Sequence, residues 1–164
     1  MKWIVFIYKV PPKPTKYRTY LWRELKRFGA IYLQDGVCLL PDADDVHLFI
    51  GALGEKVQEF GGQEYTLLST TFTTDKDQVM VEQFNTVRTE EYTELLPGIR
   101  KLKGLLEEEE SWEFDDEQMQ KIREEFQKLM RQFQSIESRD YFESDMGRNV
   151  RLQLDQLRRQ LLSF

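Results

Sequence analysis

Apolar residues change their spacing once along this chain, and the change divides it. "KWIVFIYK", residues 2–9, is β-branched and aromatic, free of glycine, and closed by Pro11 and Pro12, which predicts a strand. Both of its alternating sets are apolar, Trp3/Val5/Ile7 and Ile4/Phe6/Tyr8. A strand with two apolar faces is usually central in its sheet and covered on both sides. A helix is predicted next, with Thr15 as N-cap after Pro14. Tyr17, Leu21, Leu25 and Phe28 fall within about 40° of one direction at about 100° per residue and form its core face. Gly29 ends it. "AIYLQDGVCLLP" predicts two short strands around Asp35-Gly36, the residue pair of a type I′ hairpin, with Pro41 closing the second. A helix over about residues 43–60 carries Val46, Phe49, Ile50, Leu53 and Val57 on one face and stops at Gly61-Gly62. "EYTLLSTTF" predicts a fourth strand.

The order β-α-β-β-α-β is that of the ferredoxin-like split βαβ arrangement. Such a sheet carries helices on one face only, so the second apolar face of the first strand calls for cover from elsewhere. After Asp75 the period is helical throughout. Tyr92, Leu95, Ile99, Leu102 and Leu106 form one stripe. Met119, Ile122, Phe126, Leu129, Phe133 and Ile136 form a second, and Val150, Leu154, Leu157 and Leu161 a third. Breaks are expected over residues 107–116 and 138–147, and Pro97-Gly98 should kink or split the first helical stretch. The four-glutamate run, 107–110, reads as a solvated helix end. The expected fold is α+β: a ferredoxin-like domain over residues 1–74, then a three-helix antiparallel bundle over 75–164 packed on the sheet.

Composition supports a real core, with 40% hydrophobic and 13% aromatic residues. The single cysteine, Cys38, excludes an internal disulfide and a cysteine zinc site, and fits a reducing compartment. The apolar run 3–8 is too short for a signal-peptide core, and nothing approaches the roughly 18 apolar residues of a membrane span. A cytoplasmic protein without membrane association is expected. Formal net charge is −6. Residues 1–75 hold nine Lys/Arg against nine Asp/Glu, so the later part carries the whole excess, 14 bases against 20 acids.

Within the neutral part, positive charge is gathered. Lys9, Lys13, Lys16, Arg18, Arg23, Lys26 and Arg27 stand against one acid, Glu24. Lys16, Arg23, Lys26 and Arg27 all project more than about 110° from Leu21, opposite the core face. Beside the helix N-terminus they make a positive patch suited to an anion. Lys13, Lys16, Arg18, Arg23, Lys26 and Arg27 are therefore the candidate anion- or nucleic-acid-binding residues. A solvated surface pairing with the acidic half, nucleic acid and a small oxyanion all remain open as its partner. Arg18 and Trp22, four apart at the edge of the core face, suit cation–π stacking or packing between helix and bundle.

Catalytic constellations are scarce. His47 follows Asp44 and Asp45 with no second histidine, Cys38 reads as a buried small hydrophobe, and no phosphate-binding loop or nucleophile elbow is present. No enzyme activity, metal or cofactor is expected. The helical stripes read as core, though the apolar strand faces and short strand edges would also suit a homodimer.

Several segments resemble the N-terminal domain of the chromate-resistance regulator family ChrB. They are Pro11, Arg18, Trp22-Arg23, Leu25-Lys26, Gly29-Ala30, Asp35-Gly36-Val37, Leu39-Leu40-Pro41 and Gly61-Gly62. "RTEEYTEL" around Arg88, Glu91 and Tyr92, and "DYF" from Asp140, continue the likeness through nearly the whole chain. The resemblance implies a transcriptional regulator of chromate efflux whose N-terminal domain contacts DNA. Many members carry a further C-terminal domain, and a chain ending at Phe164 is expected to lack a sensing function housed there. A more distant likeness runs to PaaX-type repressors and the small CRISPR adaptation nucleases. Those nucleases place a metal-holding aspartate after the first strand, where this chain has Tyr8-Lys9-Val10. An ammonium cannot ligate Mg²⁺, so no hydrolysis is expected.

Overall fold

β1 (Trp3–Lys9) is one of the two inner strands of a four-stranded antiparallel sheet in the computed structural model, which describes residues 1–108 and 114–164. The chain continues through α1 (Lys16–Phe28), β2 (Ile31–Gln34), β3 (Val37–Pro41), α2 (Asp44–Glu59) and β4 (Gln63–Thr70). Spatial strand order is β2-β3-β1-β4. Ile4 and Phe6 pair with Leu40 and Cys38 across the β1–β3 ladder, and all four are fully buried. With Leu21 and Leu25 of α1 and Val46, Ile50 and Val57 of α2 they form the core of this unit. The helices bury these stripes because their apolar spacing keeps one face dry while charged residues take the other.

The second apolar face of β1 is covered at one end. Trp3 stacks on Phe84 at 5.8 Å and meets Phe72 edge-on at 6.3 Å. Its indole N–H donates to Asp77 Oδ1 at 2.9 Å, and the amino terminus pairs with the other oxygen of the same carboxylate. Those two bonds, the indole first, hold the Asp77 carboxyl below its ordinary pKa. Phe84 and Asp77 belong to α3 (Asp77–Thr93), whose start thereby caps the Trp3 end of the sheet. Further along, Tyr65 and Leu67, which lie opposite Ile7 and Val5, stay exposed.

The β2–β3 turn differs from the type I′ form expected of Asp35-Gly36. That form needs positive φ at both central residues, but only Gly36 has it, at 70°. The ladder also shifts register between Tyr32 and Gln34. Docking on β1 outweighs ideal hairpin geometry here: Tyr8 N donates to Gly36 O at 2.8 Å. A Cβ on Gly36 would lie 2.4 Å from the Tyr8 carbonyl oxygen, so no side chain fits that approach. Thr15 stands at the N-cap of α1 as expected, but its hydroxyl makes no cap bond.

The chain packs as two compact units, Met1–Phe84 and Asn85–Phe164, with α3 running through the division. In the second unit α4 (Leu96–Glu108), α5 (Asp116–Glu137) and α6 (Asp145–Leu162) each pack against the other two. Tyr92, Leu95, Ile99, Leu102, Phe126, Phe133, Val150, Leu154 and Leu157 fill the space between them. The helical stretch splits at Glu94-Leu95, just before Pro97. Pro97 then sits in the first turn of α4, where its missing N–H leaves no intrahelical bond unmade. Asp115 opens α5 with a capping box, its side chain accepting from Gln118 N at 2.7 Å while Gln118 Oε1 accepts from Asp115 N. Half of the break expected over 107–116, including half of the four-glutamate run, lies outside the described residues. Among the described residues no helix is long and apolar enough to cross a membrane.

Candidate functional site

The first unit carries a groove of about 750 Å³ at the end of β1 where the chain turns into α1. β1 contributes Tyr8 and Lys9, α1 contributes Arg18 and Trp22, and the β2–β3 hairpin contributes Tyr32 and Asp35. Arg18 and Trp22 share the groove because four residues advance a helix by about one turn. Trp22 is 49% exposed, unusual for so large an apolar ring. Lys26 Nζ stands 4.6 Å from the centre of its ring, a cation–π distance.

The hydroxyls of Tyr8 and Tyr32 are 2.7 Å apart. Buried Cys38 is the cross-strand neighbour of Tyr32 in the β2–β3 ladder. Burial raises the pKa of Tyr8, the Tyr32 bond opposes that shift, and the Arg18 charge lowers it further. Burial likewise raises Tyr32, and its bond to Tyr8 adds to the effect. The Cys38 thiol is pushed up from 9.0 to about 12, chiefly by burial. At neutral pH all three groups are therefore protonated and uncharged, which suits a wall facing an anion.

Cys38 is accordingly expected to resist iodoacetamide at pH 8 in the folded protein and to react once urea exposes it, because only the thiolate attacks. Because its folded pKa is the higher one, its contribution to stability is intact below about pH 9 and is lost as pH rises toward about 12. Alkylation followed by mass spectrometry checks the first statement; rapid labelling without urea would contradict it.

All six basic residues expected to bind an anion are exposed. Only Arg18 among them lines the groove, together with Trp22. Lys16 lies 5.7 Å from the Tyr17 ring, and Arg27 is paired with Glu24 at 2.6 Å. Lys13, Arg18 and Arg23 form no ion pair among the described residues. The basic residues thus divide between the groove and the outer surface of α1. Sequence reasoning missed Tyr8, Tyr32 and Asp35. Tyr8 read as one more strand residue, and only the β2-β3-β1 order brings Tyr32 beside it.

His47 pairs with Asp42, and Ser69 Oγ donates to the same carboxylate at 2.7 Å. The Ser69 bond, then the His47 bond, lowers the Asp42 pKa. The carboxylate sits between serine and histidine, which is not the order in which a histidine withdraws a serine proton. Among the described residues no three His, Cys, Asp or Glu side chains are grouped to hold a metal ion.

A second polar cluster ties α3 to the turn between α5 and α6. Arg88 is only 3% exposed. Its Nη1 donates to Arg139 O at 3.1 Å, and its Nε lies 2.9 Å from Glu91 Oε2 as an ion pair without hydrogen-bond geometry. Arg139 grips both oxygens of Glu91, at 3.2 and 3.3 Å. Tyr92 donates to Asp140 Oδ2 at 3.0 Å, and Asp140 also accepts from the Ser144 amide and hydroxyl. Ser144 in turn caps α6, accepting from Gly147 N at 3.2 Å. A Cβ at Gly147 would lie 2.8 Å from the Tyr92 ring and 2.9 Å from Asp140, so α6 needs glycine there to approach the cluster. Arg88, Glu91 and Tyr92, on one turn of α3, meet Asp140 from far along the chain at this one junction.

Fold and site together define an α+β protein with a cationic, aromatic-lined groove on its sheet unit. A family model described as Protein ChrB, N-terminal, matches residues 18–164, and the chain belongs to that family. No curated protein and no solved structure matches it.

Proposed function

We propose that the chain is a non-catalytic regulatory protein of chromate or related oxyanion resistance that binds DNA through α1. Membership of the ChrB N-terminal family supports a regulator connected with chromate resistance. The observation that carries DNA contact is the exposed outer face of α1 formed by Lys16, Arg23 and Lys26, with exposed Lys13 on the segment before it. Arg27 contributes least, being paired with Glu24. These cations would contact phosphates and leave sequence readout to other groups. The acidic excess beyond residue 75 would confine DNA to this face.

The strand order β2-β3-β1-β4 supports reading the first unit as ferredoxin-like, and the mutual packing of α4, α5 and α6 supports a three-helix bundle. Exposed Tyr65 and Leu67 on edge strand β4 would serve a homodimer.

Fluorescence anisotropy with duplex DNA tests the reading. Affinity is expected to fall about tenfold or more between about 50 and 200 mM salt. Reversing charge at Arg23 and Lys26 together should abolish binding. Absence of binding at the lowest salt would sink it. A second reading, a small oxyanion held by Lys9 and Arg18, is favoured by their shared groove. It would show a shallow salt slope and competition by chromate or sulfate. A protein-interaction role on the helical unit would be indifferent to both reversals.

A further inference from the structure

We propose that the groove beside α1 binds a nucleoside phosphate unit, the base against Trp22 and the phosphate on Arg18 and Lys9. This goes beyond the DNA reading and does not rest on it, because it uses the groove rather than the outer surface of α1.

Three observations converge. The groove's volume of about 750 Å³ lies within the range of small-ligand sites, about 300–1,000 Å³. One wall offers a half-exposed indole. A π-face accepts any base, and removing such a ring typically weakens binding about tenfold or more. Lys26 holds its ammonium close to that ring, which adds a cation beside a stacked base.

The second observation is charge complementarity. Lys9 and Arg18 enter the groove from different elements, and neither has an ion-pair partner among the described residues. The guanidinium of Arg18 offers the planar fork that matches phosphate oxygens. The Tyr8 and Tyr32 hydroxyls, protonated at neutral pH, add neutral polar groups without a competing negative charge.

The third is Asp35 at the hairpin end, the one carboxylate of the lining. A carboxylate repels a second anion but accepts hydrogen bonds from a sugar hydroxyl or a base amino group. Bare oxyanions have no use for Trp22 and are disfavoured by Asp35. Duplex DNA keeps its bases stacked, so the unit that fits is a free nucleotide or an unpaired nucleotide of a single strand.

The two sources separate in one experiment. Indole N–H resonances of the full chain are followed by NMR while adenosine 5′-monophosphate, a 12-nucleotide single-stranded oligonucleotide, or inorganic phosphate is added. Trp22→Phe assigns the relevant signal among the three tryptophans. The expected result is a saturable shift of the Trp22 signal with both nucleotide probes, weakened about tenfold or more by Arg18→Gln. Tighter binding of the oligonucleotide assigns the site to unpaired strands, and equal binding assigns it to free nucleotides. Absence of a Trp22 shift with either probe overturns the proposal, as does a full-sized shift from inorganic phosphate alone. Duplex binding is measured in parallel by anisotropy. Duplex binding that depends on Arg23 and Lys26, with no nucleotide shift, would overturn the groove proposal and leave the DNA reading standing; the converse would do the reverse.

Discussion

Arg88→Ala is expected to destabilise the helical unit by about 2–5 kcal/mol, the cost typical of truncating a large buried side chain to alanine. The side chain is almost wholly buried, and burial holds its pKa below the ordinary arginine value, with Glu91 pulling the other way. Truncation would strand the Arg139 carbonyl, which accepts from Arg88 Nη1, and take one cation from Glu91. Arg139 would still hold Glu91 through its two contacts, so Glu91 would not be left as an unpaired charge. For that reason Arg88→Met, which keeps the volume and drops the charge, should cost clearly less than alanine. Urea unfolding followed by circular dichroism measures both. Equal losses for the two variants would show that the polar contacts to Arg139 and Glu91, and not packing volume, are what Arg88 supplies.

Asp140→Ala should cost about 2–4 kcal/mol, because it removes a charged acceptor from several donors at once. Tyr92 would keep a buried hydroxyl without its acceptor, and the Ser144 amide and hydroxyl would lose theirs. The Ser144 cap of α6 would be left to hold its own orientation. Tyr92→Phe removes a donor and leaves Asp140 its bonds to Ser144, so a loss of about 1 kcal/mol is expected. The double variant should lose less than the two single losses combined, since both remove the same bond. Strict additivity in the unfolding free energies would mean that the Tyr92–Asp140 contact contributes nothing to stability.

The partners of these residues could not be read from spacing. Arg88, Glu91 and Tyr92 are one helical turn apart, so their shared face is legible in the chain. Asp140 and Arg139 lie 48 residues beyond Tyr92 and Glu91. Nothing local says that the α5–α6 turn returns to that face. The closeness of that return leaves its trace at Gly147, where the sequence shows only a glycine near a helix start.

The groove divides in the same way. Arg18 and Trp22 could be placed side by side by counting four residues along a helix. Lys9 could be placed at the end of the first strand. Tyr32 and Asp35 could not, because a strand's neighbours depend on pairing order, which is a long-range property. The same pairing converted the Asp35-Gly36 turn from the ideal hairpin form: contact with β1 at Tyr8 outweighed the local preference of the dipeptide.

What the sequence determined by itself was periodic and local. Alternation marked the strands, three-and-four spacing marked the helices, and glycine and proline marked the ends. The positive charge gathered on α1 was plain from residue type and helical spacing alone. Each of these follows from geometry within one element, where side-chain direction repeats every two or 3.6 residues. The tertiary structure alone decided which basic residues share a cavity with aromatic ones, which acid answers Tyr92, and what covers Trp3. Those outcomes depend on contacts between elements distant in the chain. Such contacts are chosen by the fit of whole buried faces against one another, and a single side chain carries too little of that fit to reveal its partner in advance.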